Sequence, residues 1–291
     1  MQASRPRRVR VEHCMGTVFS LDLRSLAVSD AAVEDVVRRL HWVDATFSTY
    51  RPESTISRLA RGEITEDDCA PEVQQVLARG RRLSVVTDHY FSLYADGTLD
   101  PSGLVKGWAI EAASDLLVAA GSTSHCVNGG GDVQCVGDAD PGIPWRVGIT
   151  DPHHPGQLRA VVAGSGIAVA TSGTAERGAH IRNPRSRDDP AGLASITLIG
   201  QQLGDVDAYA TAAFAMGTAA REWIESLDDV EAFAVTDDAS TWCSSGLAAD
   251  AAGTLTVRTD RTVRSTRSSG RVGSAAGRGF TTSPTNRAER A

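Results

Sequence analysis

Three consecutive glycines between two short apolar runs constrain this chain more than any other feature. In the stretch HCVNGGGDVQCVG, residues 125–137, the Asn128-Gly-Gly-Gly-Asp132 segment permits positive φ and close approach of backbone or ligand, because glycine carries no Cβ. A glycine-rich hairpin is the simplest outcome, since Asn-Gly is a common turn former. The segment is neither the GxGxxG of a dinucleotide fold nor the GxxxxGK[ST] of a P-loop.

Short strands recur around it. Residues 9–25 alternate well enough for two strands around a Met-Gly turn, and residues 145–150, 167–173, 193–201 and 231–236 read as further strands. Helices are predicted over 31–43, with Ser29 or Asp30 as cap, over 71–87 with Pro71 in the first turn, and over 105–120, 206–219 and 219–227. Strands and helices without regular alternation point to an α+β fold rather than a doubly wound sheet.

The 291 residues suffice for a sizeable core. Net charge is unevenly spread: the first 250 residues hold 21 basic and 34 acidic side chains, or −13, and the remainder is basic. So acidic a body is a poor nucleic-acid binder, although a metal-assisted phosphate ligand suits it. Lys106 is the single lysine, and it lies inside the densest motif. The five cysteines form no CxxC, which suggests buried free thiols rather than zinc or a redox pair. The basic N-terminus lacks an apolar h-region and no window is apolar enough to span a membrane, so a cytoplasmic location is expected. From about residue 251 Ser, Thr, Gly and Arg dominate, which reads as a tail, its last thirty or so residues disordered.

Four segments carry chemistry. Leu99-Asp-Pro-Ser-Gly-Leu-Val-Lys-Gly-Trp108 is a turn running into a helix whose first amides suit a phosphate, though Asp100 or Ser102 could simply cap it. The glycine hairpin is the second. The third, residues 170–184, gathers hydroxyls, a carboxylate, arginine and His180 on a polar stretch, with His180 a general base, a hydrogen-bond donor to phosphate, or merely a satisfied polar group. In the fourth, Asp207 and Thr211 stand one helical turn apart and offer two hard oxygens to Mg²⁺, unless Asp207 is only an N-terminal cap.

Taken together and in order, these segments resemble the FAD:protein FMN transferase family, the ApbE-like flavin transferases. The resemblance runs from about Cys14 to Gly246 and rests on Met15-Gly-Thr17, Phe47-Ser-Thr-Tyr-Arg-Pro52 with Ile56-Ser-Arg-Leu59, LDPSGLVKGWA, NGGGD, Trp145-Arg-Val-Gly-Ile149 with Asp151-Pro152, ATSG with HIRNP, and DAYATAAFAMG. It implies a T-fold-related single α+β domain over residues 1–250 that binds FAD, followed by the 251–291 tail. The implied reaction is Mg²⁺-dependent transfer of FMN from FAD to a Thr or Ser hydroxyl of a target flavoprotein, with release of AMP.

Carried over by residue, the resemblance puts Met15 and Tyr50 in the flavin pocket and Asp100, Lys106, His180 and Ile181 on the FAD. The backbone oxygen of Gly103, with Asp207 and Thr211, would hold the metal. His180 is the candidate base and Asp100 the alternative. The family usually has a Phe-Asp pair before the Asp-Pro-Ser-Gly segment where this chain reads Tyr90-Phe91-Ser92; Phe91 and Ser92 would make those contacts, with the acid lost or displaced to Asp96. The same site would serve a Mg²⁺-dependent FAD pyrophosphatase, and a non-catalytic FAD-binding protein is a more distant reading.

Overall fold

The computed structural model describes residues 7–25, 27–174, 181–249 and 254–257. The chain opens with an antiparallel hairpin, β1 (Arg8–Cys14) and β2 (Thr17–Leu23), closed with Cys14 opposite Thr17. Its turn is Met15-Gly16, with φ of 50° and 69°. Both residues are left-handed, as a two-residue type I′ hairpin demands.

Four helices follow: α1 (Asp30–Phe47), α2 (Thr55–Ala60), α3 (Pro71–Val86) and α4 (Ser102–Ala119). Ser29 caps α1 by accepting the Ala32 amide at 3.2 Å, and Ser54 caps α2 through the Ser57 amide at 3.0 Å. The glycine hairpin is β3 (His125–Gly129) and β4 (Asp132–Val136), turned at Gly130 and Gly131 with φ of 60° and 93°. Next come β5 (Trp145–Thr150), β6 (Leu158–Gly164), β7 (Ala168–Gly173) and β8 (Ser195–Gly200). Helices α5 (Leu203–Met216) and α6 (Ala220–Glu225) precede β9 (Glu231–Val235), β10 (Thr241–Cys243), β11 (Leu247–Ala249) and β12 (Thr254–Val257).

The strands build an antiparallel eight-stranded sheet, β1-β2-β3-β4-β7-β8-β9-β10, and a smaller one, β11-β12-β6-β5, in which only β12 and β6 run parallel. The larger sheet is the middle layer. On β9, Ala232 and Ala234 join the core shared with the helices, while Phe233 and Val235 join the core shared with the second sheet. That is the period-two alternation of a strand covered on both faces. The fold is therefore α+β in three layers.

Several boundaries differ from the sequence reading. Helix α1 runs on to Phe47, α4 begins at Ser102 and α5 at Leu203. Strands β6, β10, β11 and β12 and helix α2 were not anticipated, because short elements carry too few residues to show a period. Strand β12 lies beyond residue 250, where Thr254 pairs with Val161 of β6. Its Thr-Leu-Thr-Val is rich in β-branched residues, a strand signal hidden by the surrounding composition. All five cysteines are free, three buried and Cys126 and Cys243 half-buried.

The start of α5 is fixed by partners distant in sequence. The Leu203 amide donates to Gln134 Oε1 at 3.1 Å and the Gly204 amide to Glu111 Oε2 at 2.8 Å. Arg79 of α3 binds the Glu111 carboxylate with both Nη atoms and Asp205 through Nε at 2.7 Å, clamping α3, α4 and α5 together.

His125 is fully buried, its ring nitrogens 2.9 Å from Ser122 Oγ and 2.8 Å from Ser114 Oγ. Burial pushes its pKa down to about 4 from 6.5. The unfolded chain therefore binds the proton first, so stability is full above about pH 6.5 and falls steadily toward pH 4. The expected loss is about 3 kcal/mol. Chemical denaturation between pH 4 and 7 checks this, and His125→Gln should flatten that part of the profile.

Candidate active site

Apart from His180, the predicted site residues line two cavities near the start of α4. They open on either side of this helix start, one of about 150 Å³ and one of about 350 Å³, and Ser102 and Lys106 line both. The larger lies in the range of small-molecule sites. It is bounded by Met15 and Gly16 of the first hairpin, by Phe47, and by the Ser48–Arg51 loop that carries Tyr50. Tyr50 is 96% exposed, an aromatic face held over the opening rather than in the core. Met15 occupies a left-handed backbone position that is strained for a residue with a side chain, and such strain collects at functional sites.

The walls of the smaller cavity include Phe91, Ser92 and Asp96; Asp100 and Gly103; Thr171 to Gly173 on β7 with Ile181; and Asp207 with Thr211 on α5. Gly103 lies against Thr211, since a Cβ there would stand 3.5 Å from Thr211 Oγ1. Asp207 sits in the second turn of α5, so it is not an N-terminal cap. Its Oδ2 accepts the Gly107 amide of α4 at 2.9 Å, and the residue is 4% exposed.

Lys106 reaches between two acids. Its Nζ is 2.5 Å from Asp132 Oδ2 and 4.0 Å from Asp207 Oδ1. Asp132, at the end of the glycine hairpin, was missed as a site residue. Only its place in NGGGD hinted at it. Its Oδ1 accepts the Thr171 amide at 3.1 Å, which ties the hairpin to β7.

The helix start is free of side-chain caps of its own, with Pro101 at the cap position. Asp100 Oδ1 accepts the Ser102 amide at 2.8 Å, so one carboxylate oxygen is engaged locally. The following turn still presents the positive end of the helix dipole to the cavity. Ser92 Oγ accepts the Tyr94 amide at 3.0 Å, and Phe91 is 2% exposed with its ring beside Gly103. Asp96 lines the same cavity. His180 lies outside the described residues.

The donor set suits a hard cation: a buried carboxylate, a hydroxyl and a neighbouring backbone carbonyl are all oxygen ligands. Among the described residues no group of three or more His, Cys, Asp or Glu is gathered as a metal cage. A cation here would thus need substrate oxygens or water to complete its shell, as Mg²⁺ at phosphate sites does. Among the described residues no helix is long and apolar enough to cross a membrane.

The chain is similar to known proteins over part of its length. The chain is 37% identical over 122 residues to a FAD:protein FMN transferase of Rhodobacter capsulatus, covering 39% of this chain and 23% of that protein. To the protein of the same name from Vibrio cholerae it is 27% identical over 129 residues, covering 41% of this chain and 39% of the relative. The matched stretches thus span well under half the length of these curated relatives. The fold matches the flavinyl transferase ApbE of Pseudomonas stutzeri with a TM-score of 0.73 at 19% identity, over 84% of this chain and 96% of that one. The pattern of the ApbE family matches residues 15–96 and 93–234. With that match spanning most of its length, the chain belongs to the ApbE family.

Proposed function

We propose that this protein transfers FMN from FAD to a Thr or Ser hydroxyl of a target flavoprotein, using Mg²⁺ and releasing AMP. The observation that carries the reading is Lys106: a cation beside two buried carboxylates that lines both cavities. FAD is two bulky ends joined by a pyrophosphate. The helix start between the two cavities suits the pyrophosphate and the cavities suit its ends, with Met15 and Tyr50 toward the flavin. Phe91, Ser92 and Ile181 supply further contacts along the smaller cavity.

In the proposed reaction the acceptor hydroxyl oxygen attacks the FMN-side phosphorus. A new P–O bond forms, the bond from that phosphorus to the bridging oxygen breaks, and AMP departs with the bridging oxygen and its electron pair. The hydroxyl proton passes to a base. His180 is the proposed base, and the second oxygen of Asp100 is the alternative.

Lys106 and the α4 start offset charge that grows on the departing phosphate, where fixed donors act without reorganising. Mg²⁺, held by the Gly103 carbonyl oxygen, Asp207 and Thr211, would neutralise the pyrophosphate and improve the leaving group. The protein's other contribution is alignment of the attacking and leaving oxygens.

A direct test mixes the protein with FAD and an acceptor flavoprotein and follows AMP. Release that requires Mg²⁺ and stops on adding a chelator is the expected result. Release unaffected by the chelator would remove the metal from the account, and no release in any condition would leave an FAD-binding protein without this chemistry.

A further inference from the structure

We propose that Asp132 is the positioning residue for Lys106: it holds the ammonium at the start of α4, where Lys106 lines both cavities, and touches no substrate itself. This rests on the functional reading above, in which Lys106 meets the pyrophosphate.

The geometry is specific. Asp132 is 1% exposed, and its two oxygens do different work. Oδ1 takes the Thr171 amide and fixes the carboxylate in the sheet. Oδ2 is buried and faces the Lys106 ammonium at 2.5 Å. A buried carboxylate needs an opposite charge, and a lysine on a four-carbon stem needs an anchor to stay in one place. Asp207 is the other nearby acid, but at 4.0 Å it is the weaker holder.

The glycine hairpin explains how the anchor is placed. Gly130 and Gly131 turn with positive φ immediately before Asp132, and a Cβ on Gly130 would come within 2.9 Å of Thr17 Oγ1. The turn can therefore lie flat against β2 while its last residue points at α4. The three glycines are the means by which a sheet carboxylate reaches the lysine.

Asp132→Asn separates this role from a structural one. The amide oxygen can keep the Thr171 bond, whereas the amide nitrogen cannot hold an ammonium. Two quantities are measured for wild type, Asp132→Asn, Lys106→Met and the double variant: FAD affinity in the presence of a chelator, by flavin fluorescence, and the rate of AMP release with Mg²⁺ and an acceptor flavoprotein.

Each single variant is expected to weaken FAD binding several-fold and to slow AMP release by roughly 10- to 100-fold, the scale of misplacing one charge-stabilising donor. The double variant should be no worse than Lys106→Met, because Asp132 acts through the lysine. If the two losses multiply instead, or if Asp132→Asn matches wild type in both measurements, the proposal is overturned.

Should the Asn variant not fold, Asp132→Glu replaces it. It keeps the charge but shifts it by one methylene, and the proposal then requires slower AMP release that is again absorbed in the Lys106→Met background. Failure of the underlying reading looks different: wild type releases no AMP, and Lys106→Met binds FAD as wild type does.

Discussion

Asp207→Asn is expected to cut Mg²⁺-dependent AMP release from FAD by roughly 10²–10³-fold, the range seen when one fixed charge-stabilising group is lost. The fold should survive. Asp207 Oδ2 accepts the Gly107 amide at 2.9 Å, and an Asn oxygen can take that bond over. Asp207→Ala is a harsher change, because it strands a buried amide at a cost of about 1–3 kcal/mol. Comparing the two separates the charge from the hydrogen bond. Raising Mg²⁺ should restore part of the activity of Asp207→Asn if the side chain is a metal ligand. An Asn variant as active as wild type at all Mg²⁺ concentrations would end that assignment.

The largest effect on stability is expected at Gly107. A Cβ there would lie 2.6 Å from both the Leu203 carbonyl oxygen and Asp207 Cβ. Neither neighbour can withdraw easily: one is backbone, and the other belongs to a buried residue that bonds back to Gly107. Gly107→Ala must therefore push α4 away from α5, and we expect a loss of about 3 kcal/mol, the upper end for overpacking. The same displacement moves Gly103 from Thr211 and Lys106 from Asp207, so activity should fall further than the unfolded fraction explains. Denaturant titration together with AMP release per folded molecule tests both parts. An unchanged denaturation midpoint would mean that the two helices are not in such close contact.

The sequence made some of this legible for local reasons. Ser29 is an effective cap wherever a helix follows, Pro71 marks a first turn, and Gly130-Gly131 must bend. Asp207 and Thr211 were legible as a pair because helical spacing alone puts them on one face. What Asp207 does was not. Whether it is a cap depends on where α5 begins, and that is decided by Gln134 and Glu111, side chains from β4 and α4. No reading of residues 200–215 could contain them.

The same holds for Asp132. Its partner Lys106 lies on another element, and the juxtaposition exists only once β3, β4 and α4 have packed. Met15 and Tyr50 entered through family resemblance rather than through any physical signal in their own surroundings. The structure gives that signal: one is a left-handed turn residue and the other a fully exposed ring, both on the larger cavity.

The most direct test of the central claim is the intact mass of an acceptor flavoprotein after incubation with this protein, FAD and Mg²⁺. The account predicts a gain equal to FMN less one water, with AMP formed in equal amount, and no gain when the acceptor Thr is replaced by Ala. An acceptor of unchanged mass, with AMP and free FMN accumulating together, would contradict transfer and make water the true acceptor.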